Sequence, residues 1–207
     1  MEQNKIIYDW LTFTSRIHNV DGIIELLGLE SVSFIKLERG MNGYPFCLHF
    51  GGISICYGGR SDMGVCCCMS GQGCRSFETY GSGDYGYLFA TIVENYSDDS
   101  GKRQMNLTRL DVAYDDFIGL LDIDVIAGET MRQNYVARAE KWTVTNSSDG
   151  CSVGIGSMRS DTYIRMYDKK AERNRDDLDH WVRCEIQLRG SNAIGFAKLD
   201  GDICENY

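Results

Sequence analysis

Proline is nearly missing from this chain, with Pro45 the only one in 207 residues. That excludes a proline-rich linker, and no repeat or low-complexity segment replaces one. Histidine is almost as scarce. His18, His49 and His180 stand far apart, so no closely spaced imidazole pair is available to ligate a metal. No apolar run approaches the ~20 residues of a membrane-spanning helix. The opening MEQNKIIYDW also lacks the basic region and apolar core of a signal peptide, so a cytoplasmic protein is expected. Positive charge is the last shortage, with 21 Lys and Arg against 30 Asp and Glu for a net charge of −9. Unselective coating of nucleic acid rests on neutralising many phosphates, and this balance argues against it.

The 43% hydrophobic content is enough to bury a sizeable core. A single domain is expected over residues 1–207, or two fused halves with a loop or boundary at DDSGKRQ (Asp98 to Gln104). The nine cysteines are odd in number and lack the short gaps of structural zinc sites. Cys66, Cys67 and Cys68 fall on one strand and point to alternate faces, which suits buried, reduced thiols.

Alternation and turn residues predict strands at Ile6 to Ser15, Ser33 to Leu37, Val65 to Met69 and around Asp111. Hairpins are predicted at Phe46 to Tyr57 and at Val153 to Asp168, and a further strand over Trp181 to Leu188. Helical spacing predicts Val20 to Leu27, Tyr85 to Tyr96 and Asp122 to Arg138. The expected class is α+β, a mostly antiparallel central sheet with helices packed on one face. GSGDYG (Gly81 to Gly86) matches a dinucleotide-binding fingerprint, but the short, polar SFETY before it makes a loop ahead of a helix the better reading.

Three strands carry residues suited to chemistry. In TYIRMYDKKAERN (Thr162 to Asn174), Tyr163, Arg165 and Tyr167 share one face, with Lys169 and Lys170 next in sequence. In LTRLDVAYDD, Asp111 sits mid-strand on the face of Arg109, and in WVRCEIQLRG, Glu185 lies on the face of Arg183 and Arg189. Two carboxylates on rigid strands suit a hard cation, Mg2+ or Mn2+, that takes its other ligands from water and a phosphate. A phenol beside them suits nucleophilic attack on a phosphodiester. The same residues also fit an exposed edge strand with cross-strand ion pairs. Basic residues concentrate in this last third, including Arg159, Arg165, Lys169, Lys170, Arg173, Arg175, Arg183 and Arg189. A local basic groove can therefore coexist with an acidic remainder.

The segments SGQGCR (Ser70 to Arg75), LTRLDVAYDD, YIRMYDKKAE and WVRCEIQLRG, in this order and spacing, resemble the replication initiation factor family (Rep_trans). Its members are rolling-circle plasmid initiators and related relaxases of conjugative transposons. The likeness runs from about Asp9 to the C-terminus. It implies a nuclease sheet of the rolling-circle initiator type and a sequence-specific DNA-nicking enzyme, with a tyrosine nucleophile in the YDK segment and metal-binding acids in the RLD and CEIQLR strands. By position these are Tyr167, Asp111 and Glu185. Family members usually continue past the position of Tyr207, so a minimal or truncated version is expected.

On this reading Tyr167 attacks single-stranded or cruciform DNA, keeps the 5′ phosphate and releases a 3′ hydroxyl. Arg165, with Lys169 or Arg189, stabilises the phosphoryl charge, Asp115 is a third metal ligand or a supporting group, and Tyr163 is the fallback nucleophile. Arg75, Lys170, Arg173, Arg183 and Arg189 are expected to hold DNA. Gly71 and Gly73 either bring backbone close to a DNA strand or form a tight turn that leaves Arg75 exposed. A helicase and a second copy of the chain are candidate further partners. The alternatives are a noncatalytic DNA-binding or regulatory module on the same fold, and an unrelated α+β protein whose Asp111, Tyr167 and Glu185 do not converge.

Overall fold

The computed structural model describes residues 2–148 and 150–204, the last five without side chains. The chain divides into two compact units, Met1–Tyr8 with Asp111–Leu188 and Asp9–Leu110 with Arg189–Tyr207. The division cuts strands β1 (Lys5–Ser15) and β6 (Met105–Asp116). It does not fall at DDSGKRQ, a loop closed by a bridge between Ser97 and Arg103. Asp98 accepts hydrogen bonds there from the backbone of Ser100 and Lys102.

In the second unit the strand order is β2 (Ile35–Lys36), β3 (Phe46–Phe50), β4 (Ile53–Tyr57), β5 (Val65–Ser70), β1, β6. Antiparallel register pairs Leu11 with Met69, Phe13 with Cys67, and Ile55 with Cys67. These side chains form one fully buried apolar face. Helices α1 (Val20–Leu26), α2 (Gly71–Tyr80) and α3 (Tyr85–Glu94) add the buried Ile23, Phe77 and Leu88, and the C-terminal helix α6 (Gly190–Cys204) packs on α3. Trp10, Thr12 and Cys68 lie on the other face, only partly buried. The Arg109 guanidinium stacks 4.4 Å from the Trp10 ring.

The cysteine run splits as alternation requires. Cys67 is in the core, Cys68 is partly exposed, and Cys66 joins Cys47, Cys56 and Tyr44 in a small cluster on the face opposite Cys67. All eight cysteines whose side chains are described carry free thiols. Burial pushes the Cys66 and Cys74 thiols up to about 12.

SGQGCR forms neither a tight turn nor a loop. It is the first turn of α2, where the Ser70 hydroxyl accepts from the Gly73 N–H at the helix start. A β-carbon on Gly73 would lie 2.4 Å from the carbonyl oxygen of Gly52, so the glycine lets helix and hairpin backbones touch. GSGDYG is the predicted loop before a helix, with Asp84 capping α3.

In the first unit the strands run β1, β6, β10 (Val182–Arg189), β9 (Thr162–Asp168), β8 (Gly150–Gly156), β7 (Trp142–Ser147). Helix α4 (Ile123–Met131) covers one face. Its Ile123 and Ala127 pack with Val153, Val182, Ile155 and Met166. The helix was expected to reach Arg138. It stops at Met131, and Gln133 just beyond adopts a left-handed φ of 57°. Among the described residues no helix is long and apolar enough to cross a membrane.

Candidate active site

The face of the first unit away from α4 is a polar grid fixed by register. Tyr167 of β9 pairs with Arg183 of β10 and Ser152 of β8, while Arg165 pairs with Glu185 and Gly154. Tyr163 pairs with Gln187 and Gly156. A strand puts alternate residues on opposite sides, so the apolar set beneath α4 leaves these tyrosines, arginines and Glu185 together on the far side.

Tyr167 occupies the end row of this grid, one residue before β9 stops, and is only 3% exposed. Its hydroxyl accepts from Lys169 Nζ at 3.1 Å and donates to Glu185 Oε2 at 3.4 Å. The Arg165 guanidinium lies over its ring, 4.1 Å from the centroid. Lys169 opens the short helix α5 (Lys169–Glu172), is itself buried, and forms an ion pair with Glu172. Burial lowers the Lys169 pKa. Glu172 opposes that shift, while Arg183 and Arg173 add to it. The phenol thus has a cation on one side and a carboxylate on the other.

Asp115 of β6 meets Arg183 in a buried, two-pronged ion pair, Nε to Oδ1 at 2.7 Å and Nη2 to Oδ2 at 2.8 Å. Trp181 Nε1 also donates to Asp115 Oδ1 at 2.7 Å. Next to it, Asp116 Oδ2 lies 3.2 Å from His180 Nε2 and accepts from the Leu121 N–H. Burial would raise the Asp116 pKa, but the backbone N–H groups of Leu121 and Ile118 outweigh it and hold the carboxyl low.

The C-terminal end of β6 therefore meets the start of β10, so these neighbouring strands run antiparallel. Asp111 is four residues before Asp115, and Glu185 two after Arg183, so both share the parity of the ion pair and its face. Asp111 is not on an open polar surface, as alternation within β6 suggested, because it is only 1% exposed.

Among the described residues no three His, Cys, Asp or Glu side chains are grouped to hold a metal. Two carboxylates on one face of neighbouring strands still fit a hard cation that takes one or two such ligands and completes its shell with water and phosphate. Asp115 spends both oxygens on Arg183 and Trp181, which leaves it a supporting part.

Two matches to protein families cover most of the chain. Residues 105–198 match the model described as replication initiation factor, and residues 5–90 match the rolling circle replication initiation protein N-terminal domain. A solved structure of a rolling circle replication initiator protein from Geobacillus stearothermophilus superposes with a TM-score of 0.87 at 30% identity, covering 97% of this chain and 80% of that one. The chain belongs to the replication initiation factor family. A second relative, from Bacillus subtilis (strain 168), carries the provisional name DNA relaxase NicK and is 26% identical over 200 residues. That match takes in 89% of this chain and 55% of the relative, so the chain spans about half that protein's length.

Against the family pattern, the expected DNA-holding residues fall into distinct environments. Arg173 is exposed and Lys170 half-buried. Arg183 is 4% exposed and neutralised by Asp115, so its guanidinium has little surface to offer a DNA strand. Arg75 forms an ion pair with Glu78 one turn along α2. Arg189 is half-buried, and its Nε is buried without a hydrogen-bond partner. Lys169 was expected beside Tyr167 as a cation for the phosphoryl group; its Nζ meets the phenol oxygen itself, where β9 ends and α5 begins.

Proposed function

We propose that this replication initiation factor nicks DNA by a covalent tyrosine mechanism that begins rolling-circle replication or conjugative transfer. The observation that carries the reading is the Tyr167 hydroxyl held between Lys169 Nζ and Glu185 Oε2 on a family-matched strand pair. In the nicking step the phenolic oxygen bonds to the scissile phosphorus and the P–O3′ bond breaks. The phenol proton passes to Glu185 Oε2, and the leaving 3′ oxygen takes a proton from water to become a free hydroxyl. The 5′ phosphate stays on Tyr167 as a phosphodiester.

Lys169 stabilises the developing phenolate, and Arg165, on the same face, is the cation for the phosphoryl oxygens. Mg2+ or Mn2+ would be held by Asp111 and Glu185 and would supply positive charge to the phosphate. Asp115 and Arg183 hold the end of β6 against the start of β10 on the same face, beside the site. Lys170 and Arg173 are the candidate backbone contacts, and DNA in single-stranded or cruciform form is the substrate. A helicase and a second copy of the chain are the further partners this role would engage.

The test is a labelled single-stranded oligonucleotide carrying the element's nick site, incubated with Mn2+ or with EDTA. Strand cleavage with a protein–DNA adduct supports the enzyme. Metal-independent binding without cleavage would instead make the chain a DNA-binding module. One observation favours a second nucleophile, because Tyr163 is half-buried while Tyr167 is almost fully covered. Separate Tyr→Phe variants at the two positions decide between them.

A further inference from the structure

Beside the grid, at its β7 and β8 side, the first unit has a cleft of about 350 Å³. Its lining includes Lys141, Thr143, Ser157, Arg159 and Tyr163, with no carboxylate among the lining residues. In a chain of net charge −9, a hollow bearing two cations and three hydroxyls points to an anionic ligand. Tyr163 supplies an aromatic surface. Its phenol lies across β8 at Gly154, where a β-carbon would come 2.4 Å from the Tyr163 hydroxyl oxygen and 2.7 Å from Thr143 Oγ1. Glycine at 154 is thus what lets the ring lie down on the sheet beside Thr143. Gly156, with a left-handed φ of 94°, turns the chain into the Ser157–Asp161 loop that carries Arg159.

An aromatic face flanked by flexible cations is how proteins hold one unit of a single strand. The base stacks on the ring and the phosphate meets the charges. The volume is at the small end for a ligand pocket, ~300 Å³ and upward, which suits one nucleotide. We propose that this cleft binds a single nucleotide of the DNA strand, base on Tyr163 and phosphate between Lys141 and Arg159, as a subsite neighbouring the Tyr167 centre. The ligand class rests on the DNA-nicking reading. The proposal makes Tyr163 a positioning residue rather than the nucleophile. It also gives a reason for the small residues of β8, since larger side chains at 154 would lift the ring.

The experiment uses the full chain with a fluorescein-labelled oligo-dT in EDTA, read by anisotropy, and an oligonucleotide carrying 5-iodouracil for photocrosslinking. Tyr163→Ala is expected to weaken binding roughly five- to 150-fold, and Tyr163→Phe, which keeps the ring, to lose far less. Lys141→Ala with Arg159→Ala is expected to flatten the salt dependence of log K by about 1.4. The wild-type crosslink should map to Tyr163, a readout that does not depend on any variant folding. Wild-type affinity in Tyr163→Ala, or a crosslink mapping only to other residues, overturns the proposal. So does a Tyr163→Phe protein that binds fully yet forms no covalent adduct, since that makes Tyr163 the nucleophile. If the wild type binds with this dependence but never nicks, the subsite stands and the nicking reading fails.

Discussion

The ammonium of Lys169 lies 3.1 Å from the phenolic oxygen of Tyr167, and both side chains are almost wholly withdrawn from solvent. A buried cation at that distance stabilises the negative charge that develops on the oxygen as its proton leaves. It is effective only while charged, and burial has lowered the Lys169 pKa. Charge is present below that pKa and lost as pH rises through it, so nicking should decline on the alkaline side at a lower pH than an ordinary lysine would give. Lys169→Arg, whose guanidinium stays charged, should move that decline to higher pH. Lys169→Met should slow adduct formation by ~100- to 1,000-fold, as losing one preorganised donor does. A pH profile of adduct formation in the three proteins checks this.

The Asp115–Arg183 pair is buried on both sides. Removing one partner strands the other charge, so Arg183→Ala or Asp115→Asn should cost about 3–5 kcal/mol in urea unfolding. The salt dependence of DNA binding by folded Arg183→Ala should match wild type. A flattened slope with unchanged stability would instead make Arg183 a phosphate contact.

Gly73 tests whether SGQGCR packs the fold or touches DNA. Gly73→Ala places a methyl 2.4 Å from the Gly52 oxygen and should destabilise the protein by about 1–3 kcal/mol, as overpacking does. Gln72→Ala, at an exposed position, should leave the melting temperature within a degree or two. Calorimetry of the two variants separates the roles.

The thiols give a chemical test. Burial raises Cys66, Cys67 and Cys74 well above ordinary thiol values, and Cys47 and Cys56 are buried with their sulfurs 2.8 Å apart. Iodoacetamide at pH 8 should leave these five unmodified in the folded protein and label them after denaturation. Mass spectrometry of the peptides reads the outcome.

Strand alternation made much of this architecture legible. β1, β6, β9 and β10 fall close to their predicted places, and the shared face of Tyr163, Arg165 and Tyr167 follows from period two alone. α2 was not legible, because two glycines in its first turn resemble a loop until Gly52 is seen against Gly73. β7, an edge strand rich in Thr, Asn and Ser, and the glycine-containing α6 carry weak local signals. In the site, the residue types could be read, but their surroundings could not. Whether Asp111 is covered, and whether Arg183 faces a carboxylate or solvent, depends on neighbouring strands distant in sequence. The Lys169–Tyr167 contact likewise needs the chain to turn from β9 into α5.

The most direct test of the account is whether Tyr167 becomes joined to DNA. Wild type, Tyr167→Phe and Tyr163→Phe are incubated with Mn2+ and a nick-site oligonucleotide labelled on the 3′ side of the cleavage point, then resolved under denaturing conditions and mapped by peptide mass spectrometry. A labelled protein band is expected for wild type and Tyr163→Phe, none for Tyr167→Phe, and a nucleotide-bearing peptide containing Tyr167. A labelled band that persists in Tyr167→Phe would contradict it.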